Sequence, residues 1–276
     1  VFQKTKYKFS HIGIHQEIYQ SISKDILNDI HYKLGVRFLS EINNNKFNYT
    51  LADIVKHLNI CSEILSTPEK EKLVRLNLKA GKEAMQHGGF EYALEILEKG
   101  YKLLTNTIWQ EDFELAFDYH AKLIEIHAVC CNYKQMDEIN KLAVQQNITN
   151  VQRAQLYEIE ISACFAQHRI DQAVEKGLEA LKILNQNIPK NASKLQIIYN
   201  IIRYRNIKIP TQKLKPEDIP QDYLAAKRII SKILSASFYV NKNLLPLFVI
   251  RLLVLSQKAG ISQYTPVAAV TLGFMW

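Results

Sequence analysis

Two twelve-residue segments, Ala93-LEILEKGYKL-Leu104 and Ala173-VEKGLEALKI-Leu184, constrain this chain more than any other feature. They share the Ala, the Glu two residues on, the Lys at the tenth place and the final Leu. Both carry apolar residues at three- and four-residue spacing, which is the signature of an amphipathic helix. Eighty residues separate them, so two repeats of about forty are expected. The copy between them is Asn132-Tyr133-Lys-Gln-Met136, where Tyr133 and Met136 stand where Phe90 and Ala93, or Ile170 and Ala173, stand in the others. Each copy reads as a helix, a short polar turn and a second helix. Such pairs must stack, because none can bury its apolar stripe alone.

Close helix crossings need small residues. Gly81, Ala84, Ala93 and Gly100 supply them in the first copy, and Cys164, Ala173 and Ala180 in the third. That pattern is of tetratricopeptide type, without the Trp and Pro of the strict signature. Glycine is scarce, at 9 of 276 residues, and alternating runs bounded by turn residues are nearly absent. The expected fold is therefore all-α, an α-α superhelix of antiparallel helix pairs over residues 46–276. Ala93, Gly100, Ala173 and Ala180 should be buried where helices cross. Thr50-Leu-Ala-Asp53 fits a capping box, and Thr67-Pro68-Glu69 suggests an N-cap hydroxyl, a first-turn proline and an acid at the positive helix end. The one strand candidate is Tyr7-Lys8-Phe9.

A hydrophobic content of 47% can fill a substantial core. The most apolar run, Leu244 to Leu255, is too short to cross a bilayer and contains Pro246 and Arg251, so it reads as a buried helix and no membrane partner is expected. The first residues lack a secretory apolar block and an initiator Met, so we expect a cytoplasmic piece of a longer polypeptide. Cys61, Cys130, Cys131 and Cys164 have no metal-binding spacing and read as buried thiols. The sequons at Asn48, Asn147 and Asn191 are then without consequence. Of the net charge of +8, residues 186–276 hold 13 Lys/Arg against 3 Asp/Glu. Without a recognised nucleic-acid motif this basic third reads as a solvated face, and nucleic acid is not an expected partner. Glu111-Asp112 reads as the solvated start of a helix.

The stretch Phe9-S-H-I-G-I-H-Q-E-I-Tyr19 places His11 and His15 four residues apart, on one face if helical. A zinc site needs three or four ligands, and the nearest further candidates, Glu17 and His31, have no spacing that closes a shell, so no metal is expected. The same stretch resembles a family pattern like FSHDRIQQAAY. Further matches occur in order: Ile54-Val-Lys-His-Leu-Asn59, Leu76-Asn-Leu-Lys-Ala-Gly-Lys-Glu-Ala84, Tyr157-Glu-Ile-Glu-Ile161, Pro189, Leu244-Leu-Pro-Leu247 and Leu255-Ser256. Together they resemble the helical region of large signalling proteins that join a Ser/Thr kinase, a STAND-type AAA-like ATPase, a GAF sensor and often a histidine kinase on one chain.

The resemblance implies that residues 1–45 end the ATPase module as a winged-helix-like element, and that residues 46–276 form the helical array after it. It implies ATP or ADP as a cofactor of the adjoining module, and neighbouring ATPase, kinase or sensor domains as partners. His11 would occupy the place from which a histidine reaches the diphosphate, although Ile12 and Gly13 stand where the family has Asp and Arg. Capping or packing, nucleotide proximity and metal binding are the readings of His11, in that order. This segment has no GxxxxGK[ST] loop to cradle phosphates, and no catalytic constellation can be assembled from it, so it is not expected to be an enzyme. The expected role is a non-catalytic regulatory and scaffolding module. The alternative is a free-standing adaptor that holds a protein or peptide on the concave face of the array.

Overall fold

A computed structural model describes residues 11–42, 50–204, 219–261 and 263–275. Among these residues the regular structure is entirely helical, and the chain is all-α with helices packed in adjacent pairs. Tyr7-Lys8-Phe9 lies outside the described residues. So do 43–49, where the expected boundary between the winged-helix-like element and the array falls. The chain forms two compact units, Val1–Leu115 and Ala116–Trp276.

The first unit contains α1 (Ile12–Ser21), α2 (Lys24–Glu41), α3 (Leu51–Ile60), α4 (Thr67–Gln86), α5 (Phe90–Tyr101) and the single turn α6 (Ile108–Glu111). Its helix starts are set by local chemistry. Thr50 and Asp53 close a reciprocal capping box on α3, with the Thr50 N–H 2.9 Å from Asp53 Oδ2 and the Asp53 N–H 3.2 Å from Thr50 Oγ1. The cap of α4 is Ser66 and not Thr67, which is already helical. A capping carboxylate sits three residues past its cap. Three before Glu69 is Ser66, whose N–H donates to Glu69 Oε2 at 2.9 Å. Buried Ile54, Val55, Leu58, Leu73, Ala80 and Ile96 join α3, α4 and α5 in one core. A Cβ on Gly81 would stand 2.5 Å from Leu97 Cγ, so only glycine permits this approach of α4 to α5.

The second unit continues with α7 (Phe113–Val129, which begins at the unit boundary), α8 (Tyr133–Val144), α9 (Asn150–Ala166), α10 (Ile170–Ile183), α11 (Lys194–Arg203), α12 (Gln221–Val240), α13 (Leu244–Ala259) and α14 (Thr265–Met275). Asp112 Oδ1 accepts the Leu115 N–H at 3.0 Å and so starts α7, whereas Glu111, expected to start a helix with it, is the last residue of α6. The core runs through α9, α10, α12 and α13, with Ile161, Leu181, Ile229, Ile233, Phe248 and Leu252 almost fully enclosed. Fully burying one such side chain contributes roughly 1.5–3 kcal/mol. The Leu244 to Leu255 run is the buried helix expected, with Pro246 in its first turn, where its missing N–H costs nothing. Among the described residues no helix is long and apolar enough to cross a membrane.

The repeat is written into the turns. Gly88, Cys131 and His168 all adopt left-handed backbone, with φ of 77°, 60° and 57°, and they are 43 and 37 residues apart. In each copy the next N–H bonds back to the end of the first helix: Gly89 to Ala84 O, Asn132 to His127 O and Arg169 to Cys164 O, at 2.8–2.9 Å. This capping turn reverses the chain and starts the second helix at Phe90, Tyr133 and Ile170. Counting from there, Ala93, Met136 and Ala173 are buried at one level, Leu97, Asn140 and Gly177 at the next, and Gly100, Ala143 and Ala180 at the third. The left-handed turn also corrects one expectation. It turns Cys131 out to solvent and leaves Cys130 half-buried, while Cys61 and Cys164 are buried thiols.

Candidate functional site

His11 is the N-cap of α1. Its exposed ring accepts the Gly13 N–H on Nδ1 at 3.0 Å, so one ring nitrogen is committed to holding the helix start. The side chain of His15 lies outside the described residues. Ile14 and Tyr19 on the same helix are 49% and 36% exposed. Glu17 is exposed as well. Among the described residues no group of three or more His, Cys, Asp or Glu side chains converges as a metal would need.

His31 instead enters a polar chain that sequence reasoning misses. The Tyr19 hydroxyl lies 2.7 Å from His31 Nε2, and His31 Nδ1 lies 2.7 Å from Nδ1 of His57. With Tyr19 donating to His31, and the Nδ1–H of His31 donating to His57, both rings are neutral and every contact is satisfied. Burial pushes both histidines below their ordinary pKa, with Lys56 adding to the shift on each. On His57 the nearby His31 also lowers the value, and Asp53 opposes it. Phe38 closes edge-on over His57. This chain ties α1, α2 and α3 together and is a structural link of the first unit.

The second unit holds the more open arrangement. Its groove of about 400 Å³ is lined by one face each of α7, α9 and α12, the helices that lead their pairs. Lys122, Glu125 and Val129 come from α7, Gln155, Glu158 and Ser162 from α9, and Arg228 and Lys232 from α12. Spacings of three and four residues put each set on a single helix face. Arg228 Nε donates to both oxygens of Glu158, at 2.9 and 3.2 Å, and Lys232 Nζ donates to the Glu158 carbonyl at 2.8 Å. Lys122 pairs with Glu125 along α7 at 2.5 Å. Lys232 reaches solvent, yet the protein around its amine lowers its pKa, against the raising pull of Glu158 and Glu125. The groove thus carries paired charges held by three helices, with Ala128, Ile159 and the exposed Val129 as its apolar lining.

The motif Tyr157-Glu-Ile-Glu-Ile161 explains how α9 holds this place. Glu158 points to α12, while Glu160, two residues on and across the helix, accepts from Asn140 of α8 and pairs with Lys176 of α10 at 2.9 Å. Lys176 also sits 5.5 Å from the Tyr157 ring centre, and Ile161 is fully buried. Within five residues α9 is thus fastened to three neighbours. In the first unit the motifs at 54–59 and 76–84 meet similarly: Asn59 and the fully buried Asn77 exchange side-chain hydrogen bonds at 2.7 and 2.9 Å. Compared with protein-family models, curated proteins and solved structures, the chain matches none.

Proposed function

We propose that this chain is a non-catalytic regulatory and scaffolding module, whose helix pairs transmit the nucleotide state of an adjoining ATPase to downstream kinase or sensor domains. The nucleotide, ATP or ADP, belongs to that adjoining module. The setting rests on the resemblance of the ordered motifs. The observation that carries the mechanical part is the fastening of α9: Glu158 and Glu160 tie one helix to its neighbours on opposite sides. A helix held in this way cannot shift without moving the others, which suits an element that relays a change in packing.

The test is Arg228→Glu in the full reading frame with its neighbouring domains. Arg228 is partly exposed, so the unit should still fold, as circular dichroism would verify. ATP hydrolysis should persist while kinase output no longer follows nucleotide state. Unchanged coupling, or loss of hydrolysis itself, would contradict the proposal. A second reading, an adaptor that seats a peptide in the α7–α9–α12 groove, draws on the exposed Val129 beside the paired charges.

A further inference from the structure

Helix α11 has two apolar faces. Ser193 and Gln196 fix its start in a capping box, with the Ser193 N–H 2.9 Å from Gln196 Oε1, and so set the register of the whole helix. Ile197 packs against the core of the second unit and Ile201 is half-buried, on the side where α11 meets α13. The opposite side carries Leu195, Ile198, Tyr199 and Ile202, spaced as one helical stripe, and they are 78%, 52%, 59% and 61% exposed. A helix that merely closes a core needs only the first face.

Charge identifies what suits the second. Lys194 and Arg203 stand immediately before and after the stripe, and at about 100° per residue they fall on opposite flanks of it. Arg203 lies across the Tyr199 ring, 6.0 Å from its centre. Between Glu179 and Glu217 the sequence has eight Lys/Arg and no acid. Beside the start of α11, Asn241 and Asn243 donate to the carbonyls of Lys190 and Ala192 at 3.1 and 2.7 Å, tying the α12–α13 turn to this segment. Just before that turn stand Phe238 and Tyr239, which are 46% and 80% exposed. An apolar stripe flanked by long cations, with aromatic rings that have one polar end, is the composition that lies flat at a lipid headgroup layer. A second copy of this chain would bring the same positive charge against itself.

We propose that α11 is an interfacial helix that docks the chain onto an anionic lipid surface, with Leu195, Ile198, Tyr199 and Ile202 inserted and Lys194 and Arg203 reaching the headgroups. This departs from the expectation of no membrane partner, which rested on the lack of a spanning run. The test is sedimentation of the chain with vesicles of phosphatidylcholine alone or with roughly three parts in ten phosphatidylserine, at physiological salt. Binding should be at least about tenfold stronger to the anionic vesicles. Ile198→Gln with Ile202→Gln should weaken it roughly tenfold or more, and Lys194→Gln with Arg203→Gln several-fold with a shallower salt dependence. All four side chains are exposed, so melting curves of the variants should overlay that of the parent. Equal binding to both vesicles, no binding, or unaffected variants would overturn the proposal. So would binding to polyglutamate without binding to vesicles, which would point to an acidic protein, or self-association lost in the isoleucine variant without vesicle binding, which would point to a second copy.

Discussion

The contact between His31 and His57 leaves room for one proton between two ring nitrogens 2.7 Å apart. Protonating both rings would set two N–H groups, and two charges, against each other in a half-buried place. Both histidines therefore titrate below 6.5 in the folded chain. The unfolded chain, with histidines near 6.5, binds more protons in the window just under that value, so stability must fall as pH drops through it. In urea unfolding followed by circular dichroism, the midpoint of the first unit's transition should decline from about pH 6.5 downward. His57→Phe, which keeps a ring beside Phe38 and removes the second titrating group, should flatten that decline. Parallel curves for the two proteins would show that the pair carries no such load. Nothing in the sequence announces the pair, because His31 and His57 lie 26 residues apart and meet only once α2 and α3 have packed.

At the level of the helix pair, the capping turn is the unit of repetition, and its chemistry differs between copies. Gly88 takes left-handed backbone without a steric cost, whereas Cys131 and His168 hold it with a side chain attached. His168 is exposed. His168→Gly should therefore relieve strain without losing packing, and raise the stability of the second unit by up to about 1 kcal/mol in urea unfolding. An unchanged or lower midpoint would mean that the ring has a role the turn does not reveal. Periodicity made the outer copies legible, since Ala93 and Gly100 recur as Ala173 and Ala180 at the same levels. The middle copy was harder to read because Asn140 occupies the level filled by Leu97 and Gly177, and its burial depends on Glu160 from the next helix. The cap of α4 shifted by one residue for a local reason, the reach of Glu69.

At the largest scale, the all-α class and the pairing of helices were legible in the sequence, while the groove was not. Its central contact joins Glu158 to Arg228 across 70 residues, and a segment outside the described residues intervenes. Two acids at 158 and 160 look alike in sequence. Only packing assigns one to α12 and the other to α8 and α10. The N-terminal stretch is the reverse case: the motif drew attention to His11, and the structure gives it an exposed capping role compatible with the leading reading of that residue. If the helix pairs relay the state of a neighbouring ATPase, as proposed, amide hydrogen exchange on the full reading frame, loaded with ADP or with a non-hydrolysable ATP analogue, will register it. Protection in α9 and α12 should change between the two nucleotides. Identical exchange throughout residues 46–276, with differences confined to the ATPase itself, would contradict it.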